Sequence, residues 1–460
     1  MIRTPIDAYS IPKFDDHDII NSYNWFMSFI SPADWLKRKT EIERLLTYEI
    51  KSQPPLESLT KGTLLAIKKD VIGWYLYLIH VLIHEPQKYE YFQGARVMPI
   101  FKRMGQDFDL LKSITGIEKR VRELLKKRTA EADVLLFEFL VALLWKKNGY
   151  DVSFLEEKKV GKTPDLIAEK NGEVWHIECK RQSKTSEYTY AETTKRQTML
   201  SHINLDLLQR NLLLDITFHV ELKSLPDTYL KDLLSGKLDG ISSGHKISNE
   251  QVTIVFSYVD LLAANKHLAK YSVKNTSPQM NILIGGKAVD NMAFSCGTKA
   301  MHFRLGDGEI NNLYVDKIAN AFGVFWTCDA EGTIHAKARD IIRQVHSAAE
   351  QFASDEYGYN SVVHIGMETL DGPAVERARL KKIQSSTESI NPADHKLSWI
   401  FCHFFQSYST VREDWIFDET VQSLTPYIDP IPPINRRLLV VPEDGDTADD
   451  IVHWERPLPE

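Results

Sequence analysis

Asp165, Glu178 and Lys180 are the residues of this chain whose types and spacing could do chemistry together. Two carboxylates held close repel, and they share a proton unless a cation sits between them. A few hard oxygen ligands, with room left for water and phosphate oxygens, describe a Mg²⁺ site. A lysine beside it can hold or help deprotonate an attacking water, or stabilise charge on a transferring phosphoryl group. The same trio could equally form an ordinary cross-strand ion network on an exposed hairpin. Spacing alone does not choose between the two.

What brings the trio together is a β-hairpin. Asn171-Gly172 is a strong two-residue turn signal, because a type I′ turn needs positive φ at both central positions. With that turn Lys170 faces Glu173, and continuing the register places Asp165 opposite Glu178. Directly opposed residues share a face, with Cβ atoms ~5 Å apart. Strand alternation returns Lys180 to that face and leaves Leu166, Ala168, Trp175, Ile177 and Cys179 for the other. One register thus predicts an apolar side and an acid–acid–lysine side.

The neighbouring elements support it. Residues 131–148 read as a helix that is apolar nearly all round, hence buried, with Glu138 in its middle. An unpaired carboxylate there costs several kcal/mol or turns neutral, so Glu138 needs a partner. Asn148-Gly149 stops the helix, and Asp151-Val152-Ser153-Phe154 alternates like a strand. After the hairpin, 190–212 reads as an amphipathic helix with Met199, Leu200, Ile203 and Leu207 on one stripe. Residues 216–220 follow as a further strand.

In this order the chain resembles the PD-(D/E)xK nuclease superfamily, the restriction-endonuclease-like fold. The resemblance rests on Phe137-Glu138, Gly149-Tyr150, Pro164-Asp165 and Glu178-Cys179-Lys180 in an αβββαβ succession over about residues 131–222, and is closest in style to Mrr-type restriction endonucleases. It implies a metal-dependent endonuclease that hydrolyses DNA phosphodiester bonds in restriction or anti-phage defence. Asp165, Glu178 and the Cys179 carbonyl would hold Mg²⁺, with Mn²⁺ as a substitute. Lys180 would position or activate the water, and Glu138 would be a further carboxylate of the metal site. The Gln-x-x-x-Tyr signature of RecB-type members is absent, since Ser201 stands four residues after Gln197. Structured RNA or branched DNA remains an alternative substrate. So does a nuclease fold kept as a binding or assembly module, although intact Asp165, Glu178 and Lys180 speak against that.

Composition bounds the rest. The 460 residues suggest two to four domains. A net charge of −7 argues against a protein that coats nucleic acid, so any DNA-binding surface must be local. Expected contacts to double-stranded DNA are Arg181, Lys184, Lys195 and Arg196 after the hairpin and Lys126, Lys127 and Arg128 before the buried helix. A solvated helix face explains the second group equally well. The four cysteines are scattered without C-x-x-C spacing, which predicts a reducing cytoplasm and no structural zinc. No signal peptide is visible, and the apolar run 72–83 is too short to span a bilayer, so no membrane partner is expected. A homodimer or a partner protein is compatible with cutting both strands.

The expected fold class is α/β. An N-terminal helical domain (1–130) precedes the nuclease core (131–225). A C-terminal α/β region (226–440) and an acidic, proline-containing tail (441–460) follow. Within the third, strands are expected at 252–258, 281–284, 301–304, 323–327, 361–365 and 398–405, and helices at 337–352 and 373–384. Gly285-Gly286-Lys287 lacks phosphate-loop spacing and reads as a turn. Arg377, Arg379, Lys381 and Lys382 form a basic group on one helix, which reads as a solvated face rather than a ligand site. His80 and His84, four apart without a third ligand, read as helix-end packing.

Overall fold

In the computed structural model the described residues are 14–52, 69–156, 163–182, 187–287, 293–306, 310–352, 360–369, 371–390, 397–409, 413–427, 431–442 and 452–455. They form a mixed α/β protein with two six-stranded sheets. The strands are β1 (Asp151–Phe154), β2 (Leu166–Lys170), β3 (Glu173–Gln182), β4 (Leu212–Phe218), β5 (Lys246–Ser248), β6 (Val252–Tyr258), β7 (Val273–Lys274), β8 (Ala293–Arg304), β9 (Leu313–Cys328), β10 (Ser361–Glu368), β11 (Leu397–Tyr408) and β12 (Ile416–Leu424).

The first sheet runs β1-β2-β3-β10-β11-β12, and its centre is parallel: β10 lies between β3 and β11 and runs with both. Side-chain alternation divides it cleanly. Ile177, Cys179, Val362, Phe401 and Phe405 pack with helix Ala132–Lys147 on one face, whereas Val363, Ile365, Met367, Ile400 and Phe404 pack with Ile341, Val345 and Ile383 on the other. The sheet is therefore the middle of three layers, with both faces apolar as a parallel centre requires. Gly366 lets the buried helix approach, because a Cβ there would lie 2.5 Å from the Phe137 ring.

Hydrogen bonding corrects one expectation directly. The strand after the hairpin, β4, does not complete the first sheet. It pairs with β6 and β9 in a second sheet of order β5-β6-β4-β9-β7, with β8 also on β9. Residues from helix Glu187–Ser201 to helix Glu331–Lys337 thus form an insertion between β3 and its neighbour β10. The sequence divides at 225 only if β4 is assigned to the first sheet. The N-terminal helices, in turn, share one continuous hydrophobic cluster with that sheet, from Ile19 to Val440.

Smaller differences have local causes. Residues 281–284 are not a strand. Ser277 caps and Pro278 opens a short helix, Pro278–Leu283, with Ser277 Oγ accepting the Met280 N–H at 3.1 Å. The 190–212 helix is two helices, Glu187–Ser201 and Asn204–Arg210, before β4 starts at Leu212. Helix Tyr91–Gln106, which contains Pro99, lies in the region expected to be helical.

Residues 431–442 are a strap, held at both ends, and most of the acidic segment after them lies outside the described residues. Asn148 bonds Asn435 and Arg436, and the Glu419 carboxylate accepts the N–H groups of Leu439, Val440 and Val441. Behind Glu419 a buried chain runs inward: Trp145 Nε1 to His364 Nε2 at 3.0 Å, His364 Nδ1 to His403 Nε2 at 2.9 Å, and His403 Nδ1 to Glu419 Oε1 at 3.3 Å. The indole can only donate, so each histidine in turn accepts at Nε2 and donates from Nδ1. Burial, and then His403, hold the His364 imidazole well below its ordinary pKa, which keeps it neutral.

No helix among the described residues is long and apolar enough to cross a membrane.

Candidate active site

The hairpin forms as its turn dictates. Asn171 and Gly172 have φ of 52° and 84°, and the register runs from Lys170↔Glu173 to Leu166↔Ile177. One more step puts Asp165 across from Glu178. Asp165 lies just beyond the ladder and is tied to it twice: its carbonyl accepts the Leu155 N–H at 3.0 Å, and Oδ2 accepts the Cys179 N–H at 2.8 Å. Glu178 is only 3% exposed. Lys180 Nζ reaches back to Glu178 Oε1 at 2.5 Å.

Glu138 comes from the buried helix and is coupled to the same group. Burial first, then the charge of Asp165, push its carboxyl up to about 8, while Arg120 and Arg128 oppose the rise and Glu178 adds to it. Its Oε2 is buried and accepts no hydrogen bond, with Arg120 Nε 3.9 Å away. Burial likewise raises Asp165 above the usual carboxylate range, against the Cys179 N–H and the charges of Lys180, Arg120 and Arg128. For Lys180, burial alone would lower the ammonium's pKa, but Glu178 and Asp165 outweigh it and hold it above its ordinary value. Three acids and one lysine therefore feel one another's charge, and the acids lack enough counter-charge.

In kind, these donors suit a hard divalent cation: carboxylate oxygens, one of them buried without a hydrogen bond. In position they are occupied by the protein's own groups, Lys180 on Glu178 and the Cys179 amide on Asp165. Among the described residues, no group of three or more His, Cys, Asp or Glu side chains is placed to hold a metal ion. A cation bound at Glu178 Oε1 would compete with the Lys180 ammonium.

The residues expected at nucleic acid fall into different places. Arg181 points to the opposite face of β3 from Lys180, bonds Glu368 at 2.6 Å and lies over the Phe405 ring, with its side chain 7% exposed. Lys195 pairs with Asp227, and Arg196 bonds Thr193, both on the inserted region. Arg128 pairs with Glu131 at 2.7 Å. Lys126 and Lys127 are exposed at the end of helix Ile117–Lys126. Lys184 lies outside the described residues.

Two features escaped the sequence reading. Arg120, in the basic helix that precedes the buried one, is the guanidinium beside Glu138. Arg181 also belongs to a half-buried network in which Arg96 bridges Asp133 at 2.7 Å and Glu368 at 2.5 Å, with Tyr75 donating to Asp133. Asp133, one helical turn and a residue before Glu138, and Arg96, between apolar neighbours, were the available signals.

Matched against protein families, curated proteins and solved structures, this chain has no counterpart among them.

Proposed function

We propose that this protein is a metal-dependent nuclease that hydrolyses DNA phosphodiester bonds, with a role in prokaryotic restriction or anti-phage defence. The observation that carries this reading is the convergence of Glu138, Asp165 and Glu178 beside a lysine, where burial first, and then the charge of Asp165, push Glu138 up to about 8. Acids placed so as to repel in a buried site cost stability, and perturbed carboxylates of this kind gather at functional sites.

Each side chain then has a task. Asp165, anchored by the Cys179 amide, and Glu178 offer fixed oxygen ligands, and Glu138 adds a third from the helix layer. A divalent cation, Mg²⁺ or Mn²⁺, would supply Lewis-acid charge for the phosphoryl group. Lys180, freed from Glu178, donates to the attacking water and stabilises charge on the phosphoryl oxygens. Its raised pKa keeps it an ammonium at neutral pH, so it serves as donor and not as base. Arg120 limits the repulsion that Glu138 would otherwise meet.

A second reading, a nuclease fold used for binding or assembly, draws support from the closed Lys180–Glu178 pair. Incubating the purified protein with plasmid, linear duplex and RNA, in Mg²⁺, Mn²⁺ or EDTA, separates the two. Metal-dependent cleavage of DNA is expected. Binding without cleavage in either metal would favour the second reading, and cleavage of RNA alone would change the substrate.

A further inference from the structure

Helix Pro373–Glu388 covers the face of the first sheet onto which Glu178 and Lys180 project. Between it and His335 of helix Glu331–Lys337 lies a groove of about 510 Å³. Arg377, Lys381, Ser385 and Ser389 recur every fourth residue along it, so they form one stripe on the helix, with Lys382 beside them. We propose that this groove is a binding site for phosphate esters, presented either by a nucleic-acid backbone or by a free nucleotide.

The charges carry the inference. Lys381 is exposed and has no acidic partner among the described residues. The Lys382 amine is fixed at the groove by the His335 carbonyl at 2.9 Å, a neutral acceptor that leaves its charge unbalanced. Arg377 is paired with Glu455, but both side chains are about half exposed, and such a pair is weak enough to exchange for a phosphate. In the basic run before the buried helix, Lys119 is paired with Glu156, Arg122 with Glu118 and Arg128 with Glu131. In a chain of net charge −7, two lysines without an acidic partner among the described residues, beside a weakly paired Arg377 and flanked by hydroxyls, are a local anion site of the kind nucleic-acid binding requires. This inference deepens the nuclease reading by naming where the polyanion is held, but binding can be measured without cleavage.

The experiment uses the full chain carrying Asp165→Asn, so that bound strands are not cut, and follows the fluorescence anisotropy of a labelled duplex and a labelled single strand across salt concentrations. Adding Arg377→Gln and Lys381→Gln should weaken binding about tenfold and make the slope of log K against log salt shallower by about 2, one for each phosphate no longer neutralised. Lys381→Arg should bind as the parent does. Thermal melts check that the variants fold, and Lys381→Glu, at an exposed site, replaces the double variant if that one does not. A nucleoside triphosphate that binds the parent but not the double variant, with oligonucleotide binding unaffected, assigns the groove to free nucleotides. Unchanged binding of all three probes overturns the proposal. If the wild-type protein cleaves nothing while binding still follows the groove charges, the nuclease reading fails and the groove stands.

Discussion

Asp165 Oδ2 and the backbone N–H of Cys179 are joined at 2.8 Å, so the acid just before β2 is fixed by the strand that carries its partner acid. The carboxylate is thus placed before any cation arrives, and its position does not depend on Lys180.

For that reason Asp165→Ala should abolish cleavage without unfolding the protein. The variant loses one hydrogen bond, worth about 1 kcal/mol, and gains relief from a buried charge facing two other acids. The two largely cancel, so the melting temperature of the metal-free protein should stay level or rise slightly. Differential scanning calorimetry beside a plasmid-nicking assay checks this. Cleavage at the wild-type rate would rule out the mechanism.

Lys180→Ala separates chemistry from metal binding. The lysine occupies Glu178 Oε1 and contributes no oxygen ligand. Its removal should leave Mg²⁺ affinity equal or tighter by titration calorimetry, while cleavage of a labelled duplex falls by about 10²–10³. Lost metal binding with retained cleavage would make Lys180 a prop for the carboxylates and nothing more.

Glu138 gives a pH signature. Its carboxyl sits near 8 in the fold against an ordinary 4.5, so the folded protein holds this proton more tightly than the unfolded chain. The fold gains from that proton below about 4.5 and loses the gain as pH rises through about 8. Glu138→Gln, which cannot ionise, should therefore match the wild type at pH 4–5 and become the more stable of the two towards pH 8, by a margin on the order of a few kcal/mol. Denaturant unfolding at several pH values reads it. A margin that shrinks with rising pH would contradict the assigned shift.

Glu419→Ala should be among the most damaging single changes far from the site. It strips the acceptor from His403 and from three strap amides, leaving buried donors unpaired, at a cost of about 3–5 kcal/mol. Limited proteolysis should cut within 431–442 before the rest of the chain. A strap that stays resistant would show that Tyr150 and Asn148 suffice to hold it.

The parts legible in the sequence were those that local chemistry decides. Asn171-Gly172 needs nothing beyond its own backbone preferences to set the register that opposes Asp165 and Glu178. The apolar run around Glu138 announces its own burial. What could not be read was which distant strand lies beside β3. β4 and β10 are both short apolar strands, and only packing against the two helix layers distinguishes them. Arg181 shows the same limit: next to Lys180 in sequence, it reads as a phosphate contact, but alternation sends it to the far face, where Glu368 from β10 receives it. The misread 281–284 segment is different, because Ser277-Pro278 did carry a helix-start signal that its apolar run outweighed.

The insertion between β3 and β10 also sets an order of events during synthesis. Lys180 and its register partner Ile365 are separated by the whole second sheet, and a parallel pairing over such a distance closes late. At 5–20 residues per second, roughly ten seconds or more pass between their emergence from the ribosome. Through that interval β3 lacks its inner neighbour and Arg181 lacks Glu368, while the local hairpin that opposes Asp165 and Glu178 is already complete in the chain. Until β10 emerges, the inner edge of β3 is open to pairing with other strands, which exposes the chain to misassembly in this interval.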